Sequence, residues 1–171
     1  PEQPEVLQGL DFEIRRGERI GLIGTTGSGK STTVDLLMGL LNPTVGRLLV
    51  DGADVHDPKH LERLYAWRAA IAHVPQTIYL ADSSIAENIA FGIPQNLIDL
   101  QRVKKAAEQA QIASFIASSS QGYATFVGER GIRLSGGQRQ RIGFARALYK
   151  KAGVIVLDEA TCSLDISTEE A

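Results

Sequence analysis

The chain contains a single cysteine, Cys162, among 171 residues, so no internal disulfide can form and a disulfide-stapled mini-protein is excluded. Such sparing cysteine use fits a reducing compartment. Aromatic residues are scarce at 6%, and no apolar run approaches the roughly 18 residues needed to cross a bilayer. No apolar leader opens the chain. Neither sign of charge dominates: 18 Lys+Arg against 20 Asp+Glu give a formal net charge of −2. No global field therefore draws the chain to nucleic acid or to an acidic membrane, and any charged ligand must be held locally. The polypeptide reads as soluble and, running from Pro1 to a polar end at Ala171, as a piece of a longer protein.

What is present is an ordinary globular composition, 43% hydrophobic and 22% charged, in a length that suits one domain or a little more. Glycine, at 17 residues, is modestly above its usual share of about 7%, so its placement matters. Alternation over Leu10, Phe12 and Ile14, then a turn at Arg16-Gly17-Glu18, then Arg19 to Ile23 predict a strand, a turn and a buried strand. Glycines at 24, 27 and 29 follow, and Val34, Leu37, Met38 and Leu41 recur at helical spacing until Asn42-Pro43. Leu48 to Val50 with Asp51-Gly52 predicts a short strand and a tight turn. Pro58 to Arg68 reads as helix and Ala70 to Val74 as strand, with His73 a structural residue in or beside it.

From about Gln76 to Ser120 Ala, Gln and Ser rise, and Asp99 to Ala117 keeps an apolar helical face through Leu100, Val103, Ala107 and Ala110. A helix from Ser135 to about Lys150 precedes Val154-Ile155-Val156-Leu157, an uninterrupted apolar run of the kind found in strands covered on both faces. The pattern is α/β with a mostly parallel sheet, without internal repeats.

Three stretches carry chemistry. Gly24-Thr25-Thr26-Gly27-Ser28-Gly29-Lys30-Ser31 fits the phosphate-loop spacing, between a predicted strand and a predicted helix. Bare glycines let backbone N–H groups converge on crowded phosphate oxygens, and the helix start adds its own amides. Lys30 can reach the β- and γ-phosphates and the Ser31 hydroxyl can ligate Mg²⁺. Asp158-Glu159 ends an apolar strand, at the sheet edge where open α/β folds bind ligands. There Asp158 would hold Mg²⁺ and Glu159 would polarise an attacking water. In Leu134-Ser135-Gly136-Gly137-Gln138, Ser135 and Gln138 match a capping box, while Gly136 and Gly137 weaken the first turn by about 1 kcal/mol each but bare its amides to a second phosphate surface.

Together these stretches resemble the nucleotide-binding domain of ATP-binding cassette (ABC) transporters: residues 24–31 its Walker A, 154–159 its Walker B and 134–138 its signature motif. The resemblance implies a P-loop NTPase, RecA-like core over about 1–75 and 144–171, with flanking antiparallel strands and an inserted helical subdomain over about 76–143. It implies ATP and Mg²⁺ as ligands, Gly24 to Thr32 around the nucleotide, and Ser135, Gly137 and Gln138 as γ-phosphate contacts from the second domain of a head-to-tail dimer, with Gly136 also at the nucleotide. Gln76 matches the Q-loop glutamine, placed on Mg²⁺ and the attacking water, and Asp165 in Ser163-Leu164-Asp165 matches the D-loop. Catalysis would rest on Glu159, Gln76 and Lys30, and Mg²⁺ on Ser31, Gln76 and Asp158. Cys162 then reads as a small tolerated residue.

Thr125 to Gly131 resembles the exporter X-loop, and Ser84 to Ile89 the segment after the exporter Q-loop. The implied partners are a second nucleotide-binding domain, as a homodimer, and a membrane permease domain fused upstream, on the cytoplasmic face of a membrane, with no nucleic acid. A soluble ABC ATPase without a membrane domain is the alternative. Two family features have no counterpart: no aromatic precedes Val6 to stack on adenine, and His56, His60 and His73 do not fit the switch histidine. Tyr65 and Trp67 read as packing residues.

Overall fold

The first helix begins where the glycine run stops. In the computed structural model, which describes residues 6–158, α1 spans Lys30–Leu37. Its end comes earlier than the apolar spacing suggests, because Gly39 takes φ 68° and closes a Schellman motif: its N–H bonds the Leu36 carbonyl at 2.9 Å and the Leu40 N–H the Asp35 carbonyl at 2.8 Å. A side chain at Gly39 would also strike Leu64, whose Cδ1 lies 2.9 Å from the Cβ position.

Residues up to Ala69 form one unit and those from Ala70 another. In the first, β1 (Leu49–Val50) and β2 (Ala53–Asp54) pair antiparallel around Asp51 and Gly52, both at positive φ as a tight hairpin requires. The next helix, α2 (Leu61–Ala70), returns two side chains to the end of α1: Trp67 Nε1 donates to the Leu37 carbonyl at 2.7 Å, and Arg68 donates through Nε and Nη2 to the Gly39 carbonyl. Orphan C-terminal carbonyls are thereby satisfied, in part by a cation suited to the negative dipole end. Tyr65, by contrast, is exposed, so of the two aromatics expected to pack only Trp67 does.

The strands expected at 10–14 and 19–23 do not form: both segments lack strand structure and their apolar side chains are exposed, Ile23 at 98%. A strand is completed by a neighbour that takes up its N–H and C=O groups, and no described segment pairs with these residues.

In the second unit β3 (Ile71–Val74) and β4 (Val154–Leu157) run parallel, with Ile71 opposite Val154 and Val74 opposite Leu157. Three residues of β3 are buried, and His73 points outward. The expectation that β4 is covered on both faces fails, since Val154, Ile155 and Leu157 are exposed; within the described residues it has one strand neighbour. Helices α3 (Ile85–Ile89), α4 (Leu100–Gln109), α5 (Ala113–Ser118) and α6 (Gly136–Lys150) build the core, where Leu80, Ile85, Ile89, Ile112, Ile116 and Ile142 are all but sealed from water. The single helix expected over Asp99 to Ala117 is two, broken at Gln111, whose φ of 55° no helix accommodates.

A capping box starts α3. Ser84 Oγ accepts from the Glu87 N–H, and the Glu87 carboxylate accepts from the Ser84 hydroxyl at 2.6 Å and from its N–H at 2.9 Å. These bonds, the hydroxyl's first, hold the Glu87 carboxyl below its usual 4.5. A depressed carboxyl pKa stabilises the fold above the unfolded value and loses that contribution as pH falls through the folded one. Ser84→Ala is expected to cost about 1 kcal/mol at neutral pH, with the gap to the parent narrowing below about pH 4.5. Denaturation of the chain followed by circular dichroism at both pH values checks this; an equal gap in acid contradicts it.

Candidate functional site

The glycine loop bends around its own lysine. Gly27 and Gly29 adopt φ of 82° and 87°, conformations open to glycine at little cost, and at Gly24 an added Cβ would lie 2.5 Å from Ser28 Oγ. Lys30 Nζ crosses back to donate to the carbonyls of Gly24 at 2.7 Å and Thr25 at 2.8 Å. Gly29 is the N-cap of α1 and offers no side chain to it, so the helix opens with uncapped amides and its positive dipole end facing the loop. Thr33 Oγ1 and N–H both bond the Gly29 carbonyl, at 2.9 and 2.8 Å, which anchors the first turn from inside. The Ser31 hydroxyl is exposed and makes no hydrogen bond among the described residues, and Thr25, Thr26 and Ser28 are exposed while Thr32 is half-buried. Bare amides, one cation and an uncommitted hydroxyl suit a triphosphate with its Mg²⁺.

In the second unit, parallel register brings two separate sequence signals to one edge. Val74 lies opposite Leu157, and the Asp158 N–H extends the ladder to the Val74 carbonyl at 3.0 Å. Asp158 and the Pro75-Gln76 segment therefore leave the carboxyl ends of adjacent strands side by side, where α/β sheets bind ligands. The Asp158 carboxylate is exposed and bonds no described residue. A carboxylate and an amide oxygen are hard donors of the kind Mg²⁺ takes. Glu159, Cys162 and Asp165 lie outside the described residues.

Helix α6 begins with the capping box its sequence predicts: Ser135 Oγ accepts from the Gln138 N–H at 3.2 Å, and the Gln138 side-chain oxygen accepts from the Ser135 N–H at 2.8 Å. Gly136 has ordinary helical backbone, and a Cβ there would meet nothing nearer than 4.0 Å. Neither conformation nor packing demands glycine at this position, which leaves room for an outside ligand as its physical reason. A cleft of about 260 Å³ lies here, lined by Ser135, Gly137, Gln138, Arg141, Ile112 and Phe115. Arg141 Nη1 fixes the opposite bank by donating to the Gln111 carbonyl at 2.7 Å.

The two stretches at 84–89 and 125–131 are also neighbours. Ser84 bridges Phe126, the Ile85 N–H bonds the Thr125 carbonyl at 3.0 Å and the Val127 N–H the Ser83 carbonyl at 3.1 Å. Gly128, Arg130 and Gly131 all take positive φ, and Glu129 and Arg130 are exposed at the resulting bend. One residue tied to the first of these stretches, Arg146, carries no motif signal in the sequence: it donates to the Asn88 carbonyl from α6.

Comparison with known proteins identifies the family. The family described as ABC transporter matches residues 7–162. The chain is 44% identical over 168 residues to the ATP-dependent lipid A-core flippase of Chromohalobacter salexigens, covering 98% of this chain and 28% of that protein. It is 43% identical over 166 residues to the ATM1-type heavy metal exporter of Novosphingobium aromaticivorans, covering 97% and 26%. Against human ATP-binding cassette sub-family B member 5 it is 44% identical over 173 residues, 99% of this chain and 13% of the relative. The structure of a bacterial Atm1-family ABC exporter with ATP bound superposes with a TM-score of 0.85 at 43% identity, over 96% of this chain and 28% of that one. The chain thus spans under a third of each of these relatives, and its fold is that of a P-loop NTPase. No helix among the described residues is long and apolar enough to cross a membrane. With the match running over nearly its whole length, the chain belongs to the ABC transporter family, as part of the ATP-binding domain.

Proposed function

We propose that the chain is the engine of an exporter: two copies close head-to-tail on two ATP molecules, and closure and reopening drive a membrane domain of the same protein that moves a substrate outward. The domain comprises a RecA-like core over about 1–75 and 144–171 and a helical subdomain over about 76–143. Gly24 to Thr32 hold the phosphates, with Lys30 exchanging its two loop carbonyls for phosphate oxygens. Ser135, Gly136, Gly137 and Gln138 close on the γ-phosphate from the opposite copy, and Asp165 aligns that opposite site. Mg²⁺ is held by Ser31, Gln76 and Asp158; when bound it neutralises charge on the β- and γ-phosphate oxygens. Gln76 orients the attacking water and Glu159 accepts its proton. The working position is the cytoplasmic face of a membrane.

The observation that supports this reading most is the shared exit of Gln76 and Asp158 from adjacent parallel strands, next to a backbone bond of 3.0 Å between Asp158 and Val74. It is tested by Asp158→Asn in the full-length protein. ATP binding by the parent is expected to tighten when Mg²⁺ is added, and in the variant to lose most of that gain, by about tenfold, as one charged ligand is neutralised. Equal Mg²⁺ dependence in both, measured by titration calorimetry, rejects the assignment.

A further inference from the structure

Arg146 is a largely buried cation with no carboxylate partner among the described residues. Burial pulls its pKa below the usual arginine range. Its guanidinium carbon lies 4.4 Å from the centre of the Phe91 ring, Nε donates to the Asn88 carbonyl at 3.0 Å and Nη2 to the Tyr79 carbonyl at 3.1 Å. Desolvating a guanidinium for neutral partners is a costly way to fill space, which a methionine would fill without that cost. What arginine alone supplies is a planar fork whose donors grip two carbonyls on separate segments at once.

One segment leads from the site and the other is rigidly held. Tyr79 lies on the stretch that leaves Gln76, and Asn88 ends a tightly bonded turn: its fully buried amide donates to the carbonyls of Ala81 and Ser84 and accepts from the Ala81 N–H at 2.9 Å. The same stretch is pressed onto α6 again at Gly143, where a Cβ would fall 2.6 Å from Ile78 Cδ1. Arg146 and Gly143 sit on the helix that begins with Ser135 to Gln138. We propose that Arg146 is a positioning residue for ATP hydrolysis, clamping the stretch that leaves Gln76 to the helix that carries Ser135 to Gln138 so that the two move as one piece. The proposal rests on the reading of the site given above. It assigns Arg146 no contact with nucleotide: its effect falls on turnover and leaves ATP affinity alone.

The test uses the full-length protein, with Arg146→Lys as the decisive variant. Lysine keeps the charge and the apolar stem but reaches one carbonyl at a time. The expected result is a kcat for ATP hydrolysis lowered about tenfold, KM for ATP within about twofold, and an unchanged melting temperature. A purely structural role predicts the opposite pairing, with turnover restored wherever stability is restored, so parental kcat in a stable Arg146→Lys variant overturns the proposal. Should that variant not fold, Gly143→Val replaces it: crowding Ile78 displaces the same stretch with Arg146 intact, and kcat is expected to fall again at unchanged KM. Parental turnover in Gly143→Val overturns the proposal equally. Glu159→Gln run in parallel separates the two levels. Persisting hydrolysis there rejects the reading of the site, whereas its loss together with an unaffected Arg146→Lys rejects the clamp alone.

Discussion

Lys30→Ala in the full-length protein is expected to weaken ATP binding about a hundredfold, close to 3 kcal/mol, as a bound polyphosphate loses its one lysine. Two effects combine. Lys30 is the cation of the loop, and at 2.7 and 2.8 Å from the carbonyls of Gly24 and Thr25 it is also the brace that keeps the loop curved. Two of its three donors are held by the loop carbonyls, so on binding the parent would exchange these bonds for a stronger, charge-assisted set. The alanine variant has neither brace nor cation, and its loop must be ordered by the ligand. Lys30→Arg separates the two: it keeps the charge, but its broader, planar head does not fit between the same carbonyls. Thermal unfolding with and without Mg-ATP reads the effect directly, because a ligand at a hundred times its Kd adds about 2.7 kcal/mol. An undiminished shift in Lys30→Ala removes the loop from the site.

Glu159→Gln is expected to lower kcat by about a thousandfold while ATP still binds, the range lost with a general base. Glutamine keeps size and hydrogen-bonding capacity but cannot take a proton from water, so closure on ATP proceeds and reopening stalls. Glu159 lies outside the described residues, and the expectation rests on its place directly after Asp158, which leaves β4 beside Gln76. Single-turnover hydrolysis with bound ATP measured alongside distinguishes failed chemistry from failed binding. Turnover within a few-fold of the parent assigns the base elsewhere.

How legible the molecule was in its sequence depended on how local each signal is. The capping box at Ser135 involves residues within one turn, and the Asp51-Gly52 hairpin needs only its own positive φ values, so both are read from short patterns, whereas the segment of the equally local box at Ser84 is read only by resemblance. The break at Gln111 escaped because Ala110-Gln111-Ile112 holds neither glycine nor proline, and nothing local announces a left-handed residue there. The apolar runs at 19–23 and 154–157 announce strands, but pairing and cover come from distant segments, which is why one run forms no strand and the other an exposed one. The same holds for the site. Glycine spacing marks the phosphate loop by itself, whereas the meeting of Gln76 with Asp158 follows from the β3–β4 register, and the grip of Arg146 on Tyr79 and Asn88 joins residues that share no motif.

The two ends of α1 are treated in opposite ways. At the back, Trp67, Arg68 and the Gly39 turn satisfy its last carbonyls, while at the front Gly29 leaves the first amides without a side-chain partner. A helix sealed at one end and open at the other is an incomplete secondary structure whose missing piece is supplied by what binds it. In the function proposed above, nucleotide serves as a removable helix cap, so that each turnover would take away a structural component together with the spent product.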